Sequence, residues 1–270
     1  MMTDTKRVNL FTVAGIAALA YVLTTLAHEG LGHGGACLAV HGKAMAWGAY
    51  YFECDTKGLA DWAGRAVNAA GNTVNLILAL IFATILKADL ANPRRHGSWT
   101  VFLWLMFTIN AYTWAGYFLF SGVAGIGDWG THDDAVLHDV PNAWLWRAVM
   151  AIVGMGLYLW LVRVSAGLLA RIVGGDRMDL ARKLSWTAYL TGGIVAILIG
   201  LLNPVGFMIV LISSMASSLG GTSGLFWGMR LMKRDTKGVD FDLGLNVVWI
   251  GLGVVAAVAY AFLLGPTITF

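Results

Sequence analysis

The sequence predicts an all-α fold, a polytopic transmembrane bundle of about seven spans with a short re-entrant hairpin after the first. Three observations predict it. Of 270 residues, 58% are hydrophobic and only 12% are charged, about half the roughly 25% charged content of soluble domains. The mean hydropathy is +0.71. The apolar residues gather into repeated windows near the roughly 20 residues that a helix needs to cross hydrocarbon, so the excess is distributed over many spans and not one anchor. A lipid bilayer is the expected surrounding. The net charge of +3 comes from loop Lys and Arg, which argues for membrane orientation and against a nucleic-acid partner.

Uninterrupted apolar windows place spans near 9–29, 66–86, 99–121, 144–165, 185–202, 205–229 and 244–265. The first window passes into a polar stretch without a cleavage site, so no cleavable signal is expected. Between the first two spans, "AMAWGAYYFECD" is aromatic, too short to span, and bounded by Gly42 and Gly58; it reads as a hairpin or re-entrant element. The sixth window contains "SSMASSLGGTSG", whose small polar residues suit close helix packing or unwinding where protein shields it from lipid. Asn203-Pro204 marks the break before it. With no repeat, the chain reads as one membrane domain, 1–270. Residues 1–135 form a three-span core and 136–270 add four spans.

Fixed positive charge sets orientation, because short cytoplasmic loops hold Lys and Arg in excess. Lys6 and Arg7 precede the first span; Lys87, Arg94 and Arg95 lie between the second and third; Arg171, Arg177, Arg182 and Lys183 border the fourth connection, and Lys233, Arg234 and Lys237 the sixth. The 122–143 connection has four Asp and no Lys or Arg, while Lys43 and Lys57 sit with Glu53, Asp55 and Asp61. The pattern places the N-terminus in the cytoplasm and the C-terminus outside. Cys37 and Cys54 lack metal-type spacing and can form a disulfide only if both face an oxidising compartment.

The chemistry gathers in "AHEGLGHGGAC", residues 27–37. On a regular α-helix, side chains five apart differ by about 140° in direction, so His28 and His33 would not share a metal. A single π-type turn restores a common face, and such turns concentrate at functional sites. Gly30 and Gly32 lower its steric cost. Hydrolytic zinc usually takes three protein ligands and leaves a position for water, so a third partner is needed. Asp128, after the third span and on the same side of the membrane, is the candidate. Asn75 lies two to three turns into the second span at similar depth, where it can hydrogen-bond substrate or polar backbone. A second group, His132, Asp133, Asp134, His138 and Asp139, reads as a solvated outer loop. Arg147 and Arg163 are read as extending to headgroups.

"HEGLGH", "GNTVNL" (71–76) and "GIGDWG" (125–130) occur in this order with separations that resemble the site-2 protease family of intramembrane zinc metalloproteases. The resemblance covers roughly the first 130 residues. It implies that His28, His33 and Asp128 bind Zn2+, that Glu29 is the general base, that Asn75 contacts substrate, and that the substrate is a membrane protein or peptide. The chain differs from the family pattern in the extra residue between the histidines, a form that dipeptidyl peptidase III enzymes also use. It also carries Asn72 where the family has proline, and Asp128-Trp129 where the family has Asp-Gly. Charge bias puts the site toward the outer leaflet. The same residues suit a second class, a non-catalytic membrane protein that binds metal for transport or sensing or anchors a partner, and also a degenerate protease. His-His-carboxylate ligation also suits iron or manganese. Glu29 discriminates between these readings, since only hydrolysis requires it.

Overall fold

A computed structural model describes residues 8–92, 96–133, 135–204, 206, 210–239 and 242–270. Lys6, Arg7, Arg94, Arg95 and Asp134, used above, lie outside the described residues. The first span opens at Asn9, whose side chain accepts from the Thr12 N–H at 3.0 Å and caps α1 (Leu10–Leu26). α1 runs into a π-helical segment, π1 (Ala27–Gly34), and then α2 (Gly35–Ala39). The whole is one 30-residue rod. β1 (Lys43–Gly48) and β2 (Tyr51–Asp55) follow as an antiparallel hairpin with Trp47 opposite Phe52. Next come α3 (Trp62–Ala91), α4 (Gly97–Ala124), α5 (Ala143–Val173) and α6 (Met178–Gly200). The chain closes with π2 (Val210–Gly220), the short α7 (Gly224–Trp227), a 3-10 turn (Gly228–Leu231), α8 (Val247–Leu264) and β3 (Ile268–Thr269).

Among the described residues, five helical rods are long and apolar enough to cross a membrane: Leu10–Ala39, α3, α5, α6 and α8. The sequence predicts seven, and the two differences have distinct causes. α4 has 28 residues, about 42 Å at 1.5 Å per residue, long enough to cross, but Trp, Tyr, Thr and Asn side chains interrupt its apolar run and it sits at the centre of the bundle. Every residue from Thr100 to Tyr112 is buried, and a helix buried all round contacts neighbouring helices, which can satisfy Thr108 and Asn110, not lipid. The sixth window is not one helix. It splits into π2, α7 and a 3-10 turn, and the backbone groups freed at the break are met by aromatic side chains: Tyr158 donates to the Gly221 carbonyl (2.8 Å) and accepts from the Gly224 N–H (2.9 Å), and Tyr189 donates to the Leu219 carbonyl (3.2 Å). Irregular backbone is tolerated at membrane depth only when protein satisfies it in this way.

Two further features place the site. β3 pairs with β1, giving the strand order β2-β1-β3, so the last residues of the chain clamp the hairpin and leave β2 at the edge. Cys37 in α2 and Cys54 in β2 form a disulfide with Cα atoms 5.9 Å apart, which ties the hairpin to the rod. One apolar core runs through α1, α3, α4, α5 and α6. α1 also packs along α8 at a crossing where Gly15 and Gly253 meet backbone to backbone: a Cβ on Gly253 would strike the Gly15 carbonyl. Small residues at such crossings let helices approach closely where no hydrophobic effect drives them together.

This crossing makes a prediction. Gly253→Val should lower the thermal midpoint of the purified protein by an amount equivalent to about 1–3 kcal/mol, the usual cost of overpacking. Gly251→Val, on the same helix with open space around it, should leave the midpoint nearly unchanged.

Candidate metal centre

The π1 segment does what the five-residue spacing requires. Widening the turn returns His28 and His33 to one face, where their Nε2 atoms lie 3.2 Å apart and their rings meet edge to face at 4.8 Å. Both rings are buried. Their approach depends on a small residue opposite. Gly71 of α3 sits directly against both Nε2 atoms, and a Cβ there would collide with both imidazoles. Gly32 in turn packs on the Gly71 backbone and Gly30 on the Trp47 indole, so these glycines serve close approach by α3 and the hairpin in addition to easing the turn.

The tautomers follow from the partners of the other ring nitrogens. His33 Nδ1 faces the Val67 carbonyl at 2.8 Å, an obligate acceptor, so it carries the proton. His28 Nδ1 faces Asn75 Oδ1 at 2.6 Å. That amide orientation is itself fixed: Asn110 Nδ2 donates to the Met106 carbonyl (2.8 Å) and to Thr24 Oγ1 (3.0 Å), leaving Asn110 Oδ1 to accept from Asn75 Nδ2 (2.9 Å). The relay from a backbone carbonyl through two asparagines forces a proton onto His28 Nδ1. Both Nε2 atoms therefore present lone pairs. Asn75, expected from the sequence to contact substrate, is fully buried with both ends of its amide engaged on protein.

Asp128 completes the cluster. Its Oδ2 lies 3.4 Å from His28 Nε2 and 3.5 Å from His33 Nε2, and this buried oxygen has no hydrogen-bond partner. The loop is pinned from three sides. Arg147 of α5 donates from Nε to the Gly122 carbonyl (3.2 Å) and from Nη2 to the Val123 carbonyl (2.8 Å), capping the end of α4 in place of the headgroup contact expected of it. His132 Nε2 meets the Gly127 carbonyl at 3.1 Å. Asn72, with its amide oriented to satisfy both ends, donates to the Trp114 carbonyl (3.3 Å) and accepts from the Trp129 indole N–H (3.2 Å).

Two lone pairs and a carboxylate held at mutual distances of 3.2, 3.4 and 3.5 Å repel one another unless a cation lies between them. A proton on one ring satisfies one edge of the triangle; a metal ion satisfies all three. Ligands at the roughly 2.0–2.1 Å typical of zinc stand about 3.3 Å apart on a tetrahedron, so the donor set fits such an ion. His28, Glu29 and His33 also lie together, with ligand atoms within 4.8 Å of one another. Asp128, closer to both rings, is the better third ligand, which leaves Glu29 free. Glu29 is buried, accepts no hydrogen bond from the described residues, and opens onto a cavity of ≈ 990 Å³ that also reaches His33, Asp128 and four residues of β2.

Several of these residues escape the sequence reading: Gly71, the Val67 carbonyl, Asn110, and Tyr117, which stacks on His28 at 5.0 Å. An asparagine in the middle of the third apolar window was the one available signal, because buried polar groups in spans are costly and mark function. Of the second acidic group, His132 and Asp133 reach the rim of the large cavity, while His138 pairs with Asp139 (3.2 Å) and Asp133 (3.8 Å). Asn110→Leu removes the orienting bond on Asn75 and should weaken metal binding about 10–100-fold, measured by competition with a chromophoric chelator. No family model, no curated protein and no solved structure matches this chain.

Proposed function

We propose that this protein is an intramembrane zinc-dependent endopeptidase acting on membrane-embedded or membrane-associated polypeptides. The observation that carries the reading is the convergence of two tautomer-fixed Nε2 lone pairs and the Asp128 carboxylate at metal-ligand spacing, with an unengaged Glu29 beside them on a large cavity. A zinc ion bound there supplies a Lewis acid that activates water near neutral pH and polarises a carbonyl. Glu29 takes a proton from the attacking water; the water oxygen bonds to the scissile carbonyl carbon, the C–N bond breaks, and Glu29 returns the proton to the leaving amine.

The remaining residues suit a peptide substrate. A chain must be extended before its backbone carbonyl is accessible, and an edge strand is the standard device for holding it so. β2 is such an edge, and Tyr51, Phe52, Glu53 and Cys54 line the cavity one after another. The Cys37–Cys54 disulfide supports placing this face toward an oxidising compartment, in agreement with the charge bias that puts the N-terminus in the cytoplasm and the C-terminus outside. Transport or sensing would not require a free carboxylate beside the ligands.

Glu29→Gln should retain near-stoichiometric zinc by elemental analysis and lose cleavage of a reporter membrane peptide by at least about 100-fold, the usual contribution of a general base. Unchanged turnover would remove the hydrolytic reading. His28→Ala, His33→Ala and Asp128→Ala should each lose zinc, and zinc retained by Asp128→Ala would exclude that residue as a ligand.

A further inference from the structure

Behind Glu29 lies a second, smaller space that the reading above does not use. A cavity of ≈ 50 Å³ sits between α1, π2 and α6 and touches His28 and Glu29 on its inner side. It shares Glu29, Tyr50, Thr113, Tyr117, Ser213 and Ser217 with the large cavity, while Tyr21, Thr25, Ala196, Ser218, Thr222 and Tyr260 line only the inner one. Most of its hydroxyls donate to the protein. Thr25 donates to the Tyr21 carbonyl (3.1 Å) and Tyr50 to the Ala196 carbonyl (2.9 Å). Tyr260 donates to the Ala49 carbonyl, Ser217 to Ser213, Ser218 to Ser214 and Thr222 to Ser218. What faces the space is a mixed polar lining: their oxygen lone pairs, the Glu29 carboxylate, and the hydroxyls of Thr24, Thr113, Tyr117 and Ser213.

Resting on the endopeptidase reading, we propose that this chamber holds an ordered water cluster and delivers water to Glu29 when substrate fills the outer cavity. At about 10–15 Å³ of centre-accessible space for each molecule, it has room for about four waters. Water, which both donates and accepts, is the small occupant that matches this mixed lining, and Glu29 is its polar exit. Each hydrolysis consumes one water, and an extended chain along β2 occupies the side from which bulk water would otherwise enter. The chamber supplies that water from the opposite side of the carboxylate, inside a membrane that provides none.

Radiolytic hydroxyl labelling of the full chain in lipid nanodiscs reads this directly, because bound water next to a ring raises its modification even when the ring is buried. Tyr21 and Tyr260 line the chamber, whereas Tyr112, also buried, lines neither cavity. Tyr21 and Tyr260 should be modified at least several-fold more than Tyr112. Ala196→Leu, which fills the chamber without replacing a ligand or a hydroxyl, should abolish that excess and lower kcat at least about 10-fold with KM and zinc content unchanged. Thr25→Val, which keeps the shape and removes one hydroxyl, should give a smaller decrease in both. Zinc content serves as the control for folding. Labelling of Tyr21 and Tyr260 no greater than that of Tyr112 would overturn the proposal, as would unchanged kcat in an Ala196→Leu protein that has lost the labelling. A sodium-dependent rate with unlabelled tyrosines would replace water with a cation. Strong labelling in a wild-type chain that cleaves nothing would instead overturn the endopeptidase reading and leave the hydrated chamber standing.

Discussion

The convergence of two imidazoles five residues apart is the constraint on which the rest depends. A regular helix cannot provide it, and π-helical geometry is rarely stable by itself, so π1 must be held by what packs around it. α3 approaches through Gly32 and Gly71, the hairpin through Trp47 over Gly30 and Phe52 over Gly34, and the Cys37–Cys54 bond closes the far end. Each contact falls on a glycine or on the helix end that the widened turn presents. Relaxing π1 to an α-helix would swing His33 off Val67 and out of reach of Asp128.

Donor orientation, unlike donor position, is set far from the ligands. Whether His28 offers a lone pair or a proton to the centre is decided at the Met106 carbonyl on α4, two asparagines away. That places the tautomer under the control of the most deeply buried helix in the bundle, whose register cannot shift without repacking the core. It also accounts for the buried polar residues of α4: Thr108 donates or accepts at Ser165, and Asn110 serves the relay. The polar residues that lower its hydropathy lie inside the protein and not against lipid.

The fold class, the hairpin and the residues that converge were legible in the sequence because they rest on local signals: apolar windows, aromatic alternation, and a His-Glu pair at the end of a span. The five-residue spacing, combined with the need for one face, even specified the kind of helix. What was not legible depends on long-range pairing. Nothing local says that Asn75 points at His28, that Arg147 caps α4, that Ile268 and Thr269 return to β1, or that π2 breaks at Gly220 where Tyr158 and Tyr189 can satisfy it. The expectation for Arg147 failed for a specific reason: a long cation near a span end has two outlets, headgroups or the unpaired carbonyls of a neighbouring helix, and only the packing of α4 on α5 decides between them.

Asn72 and Trp129 are partners in space: the amide oxygen of the first accepts from the indole N–H of the second. Asn72 lies within the uninterrupted α3, and the indole, one residue beyond Asp128, fixes the loop against that helix. Neither side chain serves without the other: a buried asparagine without the indole would leave its amide oxygen unpaired at about 1–3 kcal/mol, and the indole without the amide would leave a buried donor. The pair ties the loop to α3 by a side-chain bond, so the carboxylate is held at the histidines by the fold itself.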